Sequence, residues 1–229
     1  MKRQLLFLTI AALSFNLQTF AQKKPTTQPR KQVEQTKIYE DDVQSELEAE
    51  ILNEINEVRR NPQSYAVFLE NYKKFYNGKE LTLPQKSVCI TNEGASAVDE
   101  AIAYLKTAKP VADVRLNIGL TSAANNHLND LQKNNIRGHK GSDASFPDAR
   151  VEKYGFWTAP VYEIINYNSA SARETVMQIL IDDGNKTRGH RTKLLDAKDK
   201  VIGLKCGETK NYGKTCVIVL TGGLTLHSK

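Results

Sequence analysis

The 229-residue chain has only three cysteines and one tryptophan, and its opening apolar run is broken by Ser14, Asn16 and Gln18. Each scarcity excludes a class. Three cysteines cannot staple a chain of this size, so it must bury a core of its own. A broken run falls short of the roughly 20 residues that a membrane span needs, which excludes stable insertion. A nucleophile elbow, a phosphate-binding glycine loop, an H-E-x-x-H helix and a dinucleotide fingerprint are all missing from the sequence. A nucleic-acid-binding body is also excluded, although the net charge is +6. Lys2 and Arg3 lie in the first 21 residues, and residues 22–40 hold five bases against two acids, leaving a body of charge +1.

The first 21 residues place Lys2 and Arg3 before an apolar run and end in Thr19-Phe20-Ala21, the pattern of a secretory signal peptide. Residues 22–43 hold Pro25, Thr26, Thr27, Gln28 and Pro29 and no apolar periodicity, so a disordered linker is expected. The expected product is exported, secreted or periplasmic, with a single folded domain over residues 44–229. A monomer is expected. In an oxidising compartment Cys206 and Cys216 are expected to form a disulfide, because they flank two strand-like runs joined through Gly207 and Gly213. Cys89 is left over, and a buried, inert thiol is its default.

Apolar residues three and four apart predict helices from Glu46 to Arg60, from Pro62, from Asn92 to Lys106 and from Gly119 to Asn134. Residues 73–91 read as loop with one short strand at most. A short helix is expected near Phe146 to Tyr154, and residues 159–167 read as a strand with Glu163 on the face of Val161 and Ile165. Ser169 or Ser171 caps the next helix, which carries Asp182 and Asp183 to its C-terminal end, where Gly184 suits a left-handed closing residue. The macrodipole disfavours carboxylates there by a few tenths to about 1 kcal/mol. The doublet is therefore solvated, paired with Lys186, Arg188 or Arg191, or held for chemistry. Helices precede strands without a repeated crossover, which indicates an α+β fold.

Four groups have settings that suggest convergence: His139 and His190 in glycine-flanked loops, Glu163 on its strand and Asp183 at its helix end. Imidazoles with carboxylates suit zinc or a similar divalent cation. The histidines lack a short metal-binding spacing, however, and independent hydrogen-bonded histidines stay open as the alternative. His127 lies on an apolar helix stripe and reads as a satisfied semi-buried residue, while His227 in the tail has no expected role.

The ordered pieces INEVRRNP (with Asn56, Arg59 and Pro62), LTSAANNHLND, GHKG, the strand EIIN, GHRTKLL and VIGLKC resemble the CAP superfamily. This family takes in cysteine-rich secretory proteins, antigen 5, plant pathogenesis-related proteins and bacterial SCP-domain proteins. The resemblance spans roughly residues 45–223 and implies an α-β-α sandwich with a central antiparallel sheet flanked by helices. It also implies a cleft holding His139, Glu163, Asp183 and His190, with the two histidines as metal ligands. Leu180 stands at the family's tryptophan position, which places Asp183 three residues on as the second acid. Ile164 replaces the asparagine expected after Glu163.

Two functions follow from the resemblance. The first is a non-enzymatic extracellular module that binds a peptide, glycan or lipid, with a divalent cation such as zinc organising the groove. The second is a metal-assisted hydrolase with Glu163 as general base. Binding is preferred because no activated nucleophile is evident.

Overall fold

The computed structural model describes residues 44–84, 86–168 and 170–228. The expected signal peptide and linker lie outside the described residues, as does Ser169. The first helix, α1 (Glu46–Arg60), starts where Ser45 accepts from the Glu48 amide while the Glu48 carboxylate takes the Ser45 amide, a complete capping box. Glu48 also accepts from the Cys206 amide at 2.8 Å, so the cap ties the helix to the later sheet. Asn61 ends α1 and caps α2 (Pro62–Lys73), whose first position is the proline that helix starts favour.

Residues 76–90 form more than the single strand expected. Strands β1 (Tyr76–Asn77), β2 (Glu80–Leu81) and β3 (Cys89–Ile90) make a small antiparallel sheet, and Cys89 is exposed rather than buried. The buried-thiol reading fails because β3 is an edge strand lying on the surface. Helix α3 (Ala95–Thr107) follows, then β4 (Arg115–Leu116) and α4 (Ile118–Asn134). After α5 (Pro147–Glu152) come β5 (Gly155–Trp157), β6 (Tyr162–Tyr167), α6 (Ala172–Ile181) and α7 (Gly189–Leu194). The chain closes with β7 (Val201–Thr209), β8 (Gly213–Thr221) and β9 (Leu224–Leu226), the last paired with β5.

The central sheet has the order β4-β7-β8-β6, antiparallel except for two-residue β4, which runs parallel to β7. Its two faces are buried separately. Ile164, Ile202, Leu204, Ile218 and Leu220 face a core built with α1, α2, α3 and α6. Val217 and Val219, with Val161 and Ile165 at the margin, face α4 and Val151 of α5. The fold is therefore the expected α+β sandwich, with helices on both faces of one sheet. Across the hairpin Cys206 lies opposite Cys216, and the two are bonded as expected.

Helix α4 crosses β7 at Gly203, where a Cβ would lie 2.1 Å from the Leu120 carbonyl carbon and 2.1 Å from the Thr121 nitrogen. Both are backbone atoms, so neither can swing aside. Gly203→Ala is expected to destabilise by about 3 kcal/mol or more in urea melts, at the upper end of overpacking costs. The Cys206→Ser, Cys216→Ser double variant should lose roughly 2–3 kcal/mol yet fold, since the bridge closes a short loop beside an independent core.

Candidate functional site

Glu163 is the pivot of one half of the site. Alternation along β6 turns its side chain toward α4 and α5, where it is fully buried. An isolated carboxylate there would be costly. Arg150 of α5 meets Glu163 Oε2 at 2.7 Å, and His139 Nδ1 lies 2.9 Å from Oε1. The guanidinium of Arg150, itself 3 % exposed, also donates to the His139 and Ser145 carbonyls, so one side chain fixes both the carboxylate and the loop opposite it. Sequence reasoning passed over Arg150. Its only signal is a base in a short helix beside an unexplained buried acid.

The loop is pinned from below as well. Gly138, at φ +88°, donates its amide to Tyr167 Oη and receives His127 Nε2 at its carbonyl, 2.8 Å away. His127 is wholly buried rather than semi-buried, and Nε2 stands 3.7 Å from Glu163 Oε1. Burial is the largest influence on its imidazole and holds the pKa below the ordinary value, against the pull of Glu163. The neutral ring bonds the Gly138 carbonyl through Nε2, and its Nδ1 has no partner among the described residues. The satisfied histidine expected at this position is thus satisfied on one side only. His227 bonds the Glu152 carbonyl and packs its ring on Phe156.

The second half is built by Asp182, not Asp183. Helix α6 ends at Ile181 and is closed by Asp182 in the left-handed conformation (φ +55°), while Gly184 is left-handed as expected (φ +82°) but lies two residues further on. That turn brings the Asp182 carboxylate back to α7, where it accepts from the His190 amide at 3.0 Å and lies 2.7 Å from His190 Nδ1. Asp183 points the other way and accepts from the amides of Asn92 and Glu93, each at 2.7 Å. Counting three positions beyond Leu180 presumes that the helix continues, and it stops one residue too early for that. Among the described residues Arg188 pairs with neither aspartate carboxylate: it bonds the Asp182 carbonyl, Glu93 and Glu100, and Glu93 is held at about 2, chiefly by its Arg188 hydrogen bonds.

Three of the four expected groups, His139, Glu163 and His190, therefore fall into two histidine-acid pairs, with Asp182 standing where Asp183 was expected. Consecutive residues of β6 separate them: Glu163 faces α4 and α5, while Tyr162 turns to the other face and packs its ring 6.3 Å from that of His190. Strand β6 ends the central sheet, so the pairs stand on either side of its outer edge. Among the described residues no three histidine, cysteine, aspartate or glutamate side chains come together as a metal-holding group. The donor chemistry suits zinc, but a site with three protein ligands does not fit this arrangement.

A helical sandwich around such a sheet, with paired histidines and acids at its edge, defines a class rather than a reaction. The sequence profile of the cysteine-rich secretory protein family, CAP, matches residues 52–221, and the chain belongs to that family. Among solved structures it is similar to an outer surface protein from Borrelia burgdorferi, with 17 % identity, a TM-score of 0.42, and coverage of 48 % of this chain and 78 % of that one. It is also similar to an extracellular protein containing a SCP domain from Bacillus anthracis, with 16 % identity and a TM-score of 0.39, covering 56 % of this chain and 37 % of that one. No curated protein matches the chain significantly in sequence.

The role of Asp182 can be tested by pH. Burial pushes the Asp182 carboxyl up, but the hydrogen bonds from His190 and Asn185 outweigh it and leave its pKa below 3.8. A depressed folded value means stability that is present above the unfolded value and lost as pH falls through the folded one. Asp182→Asn should cost about 1–3 kcal/mol near neutrality, with the gap to the parent protein closing below about pH 3.8. A loss in Asp182→Asn that does not change with pH would refute the assignment. Arg150→Met is expected to cost about 3–5 kcal/mol in the same melts, because it leaves the Glu163 charge buried with its main partner gone.

Proposed function

We propose that this CAP domain is an exported, non-enzymatic binding module whose ligand lies along the outer edge of β6, between the His139–Glu163 and His190–Asp182 pairs. The observation that carries this reading is the way both imidazoles are held. Each gives Nδ1 to a buried carboxylate, which orients the ring and leaves Nε2 for a ligand. His139 is 45 % exposed and His190 26 %, whereas their acids are buried, so the rings and not the carboxylates face outward. Among the described residues neither ring hydrogen-bonds a serine, threonine or cysteine that could act as an activated nucleophile. Peptide, glycan and lipid are the ligand classes that this edge is proposed to serve. If a divalent cation takes part, the Nε2 atoms of His139 and His190 are the protein groups that would hold it, and it would supply an electrophile for a polar ligand. Export is inferred from the family and from the signal-like opening of the sequence.

Thermal melts and binding measurements on the untagged full chain test this, with short peptides, neutral oligosaccharides and cholesterol-bearing phosphatidylcholine vesicles as probes. At least one probe should bind, and His139→Ala and His190→Ala should each weaken it by about tenfold or more, which corresponds to about 1.4 kcal/mol. If a cation is held there, zinc chloride should raise the melting temperature of the parent protein and not that of His139→Ala or His190→Ala. Turnover of peptide or ester substrates that disappears in Glu163→Gln, with the fold intact, would replace the binding module with a hydrolase.

A further inference from the structure

The loop that carries His139 has a second side. Asn126 and Asp130 of α4, Asp143 and Ser145 of the loop, and Arg150 and Lys153 at α5 line a cavity of about 230 Å3. We propose that this cavity is a subsite for one residue of a neutral glycan. The proposal rests on the binding-module reading and names glycan as the ligand class.

Size sets the first limit, because drug-sized ligands occupy roughly 300–1,000 Å3 and this space holds something smaller. Chemistry sets the second. All the lining residues are polar or charged, and an apolar ligand would strip them of water without replacing their hydrogen bonds. Charge sets the third: Asp130 and Asp143 are balanced by Arg150 and Lys153, so neither an anion nor a cation finds a net opposite charge.

The strongest charges are also already engaged. Asp130 accepts from the Ser142 amide and hydroxyl and from Asn134, and Arg150 is taken up by Glu163 and two loop carbonyls. What stays within reach is mixed. Among the described residues Asp143 Oδ2 has a 4.0 Å contact with Lys153 Nζ, with both side chains more than half exposed. Asn126 is exposed and spends its amide nitrogen on Tyr154 Oη, which leaves its carbonyl as the end a ligand would meet. Acceptors beside donors, without net charge, are what hydroxyl groups match, since each hydroxyl both donates and accepts.

The wall is a preformed turn. A Cβ on Gly141 would lie 2.7 Å from Asp143 Oδ1, 2.8 Å from Ser145 Oγ and 3.1 Å from Asp130 Oδ2, so these side-chain oxygens close around the Gly141 backbone. Arg150 links this cavity to the edge of β6. Its buried guanidinium lines the cavity and grips Glu163 at once, so a sugar seated here lies one side chain away from His139.

Two-dimensional 15N–1H spectra of the full chain, titrated with glucose, galactose, mannose and N-acetylglucosamine to about 100 mM, test this in the weak range expected for a single sugar, about 1–10 mM. At least one sugar should give saturable shifts at the Ser142, Asp143 and Ser145 amides and the Asn126 side-chain amide. Asn126→Ala and Lys153→Ala, at exposed positions that do not hold the loop, should each weaken that binding tenfold or more. No saturable shift with any sugar would overturn the proposal, as would shifts produced by inorganic phosphate or calcium but not by sugars. Sugar shifts confined to His139 and His190 would also overturn it while leaving the binding module standing. Sugar shifts in the cavity together with Glu163-dependent turnover would instead sink the module reading and keep the subsite.

Discussion

One buried carboxylate sets the terms for half of this molecule. Glu163 occupies a strand position whose neighbours Val161 and Ile165 pack into an apolar layer, and its side chain has no access to water. Ionised there, it requires partners that are themselves fixed. Arg150 reaches it from α5, and the same guanidinium draws in the His139 and Ser145 carbonyls. His127 and Tyr167 hold Gly138, the residue before His139. The loop that carries His139 is tied down by the same groups that neutralise the charge beneath it.

Arginine forks organise the other half in the same way. Arg59 lies inside the core at 1 % exposure and donates to the carbonyls of Ala112, between α3 and β4, and of Leu194, Asp196 and Asp199, at the end of α7 and beyond it. Arg191 holds the carbonyls that end α6, and Arg188 bridges Glu93 and Glu100. A planar cation with five donors can satisfy several such carbonyls at once, which lysine cannot do. The loop between α6 and α7 thereby keeps a definite shape, and Asp182 meets His190 because of it. Asp199 is a cost of this packing: burial raises its pKa, and its carboxylate oxygens have no hydrogen-bond partner among the described residues.

Placing the two histidine-acid pairs on opposite sides of β6 has a consequence for chemistry. A metal centre needs several donors around one point, whereas a binding edge needs oriented groups spaced along a ligand. The carboxylates lie inside and the imidazoles outside, so under the proposed binding reading the rings are the groups a ligand would meet. Tyr162 and Glu163 separate the pairs because neighbouring strand residues must face apart.

How far the sequence reaches can be judged from single residues. Apolar spacing located α1 and α4 within a residue of their bounds, since each helix buries one stripe whatever surrounds it. Facing cysteines on a hairpin required no distant partner, and Glu163 stood out because its neighbours were apolar. The short strands of residues 76–90 were not legible, because two-residue strands carry no period. Asp182 and Asp183 are the same residue twice in a row, and their roles depend on a left-handed turn at Asp182 that local sequence does not compel. Arg150 looked like any surface base until the fold placed it under Glu163. Periodicity and local pairing are properties of the chain alone. Which buried charges meet depends on contacts between residues far apart in sequence, and those exist only once the layers have packed.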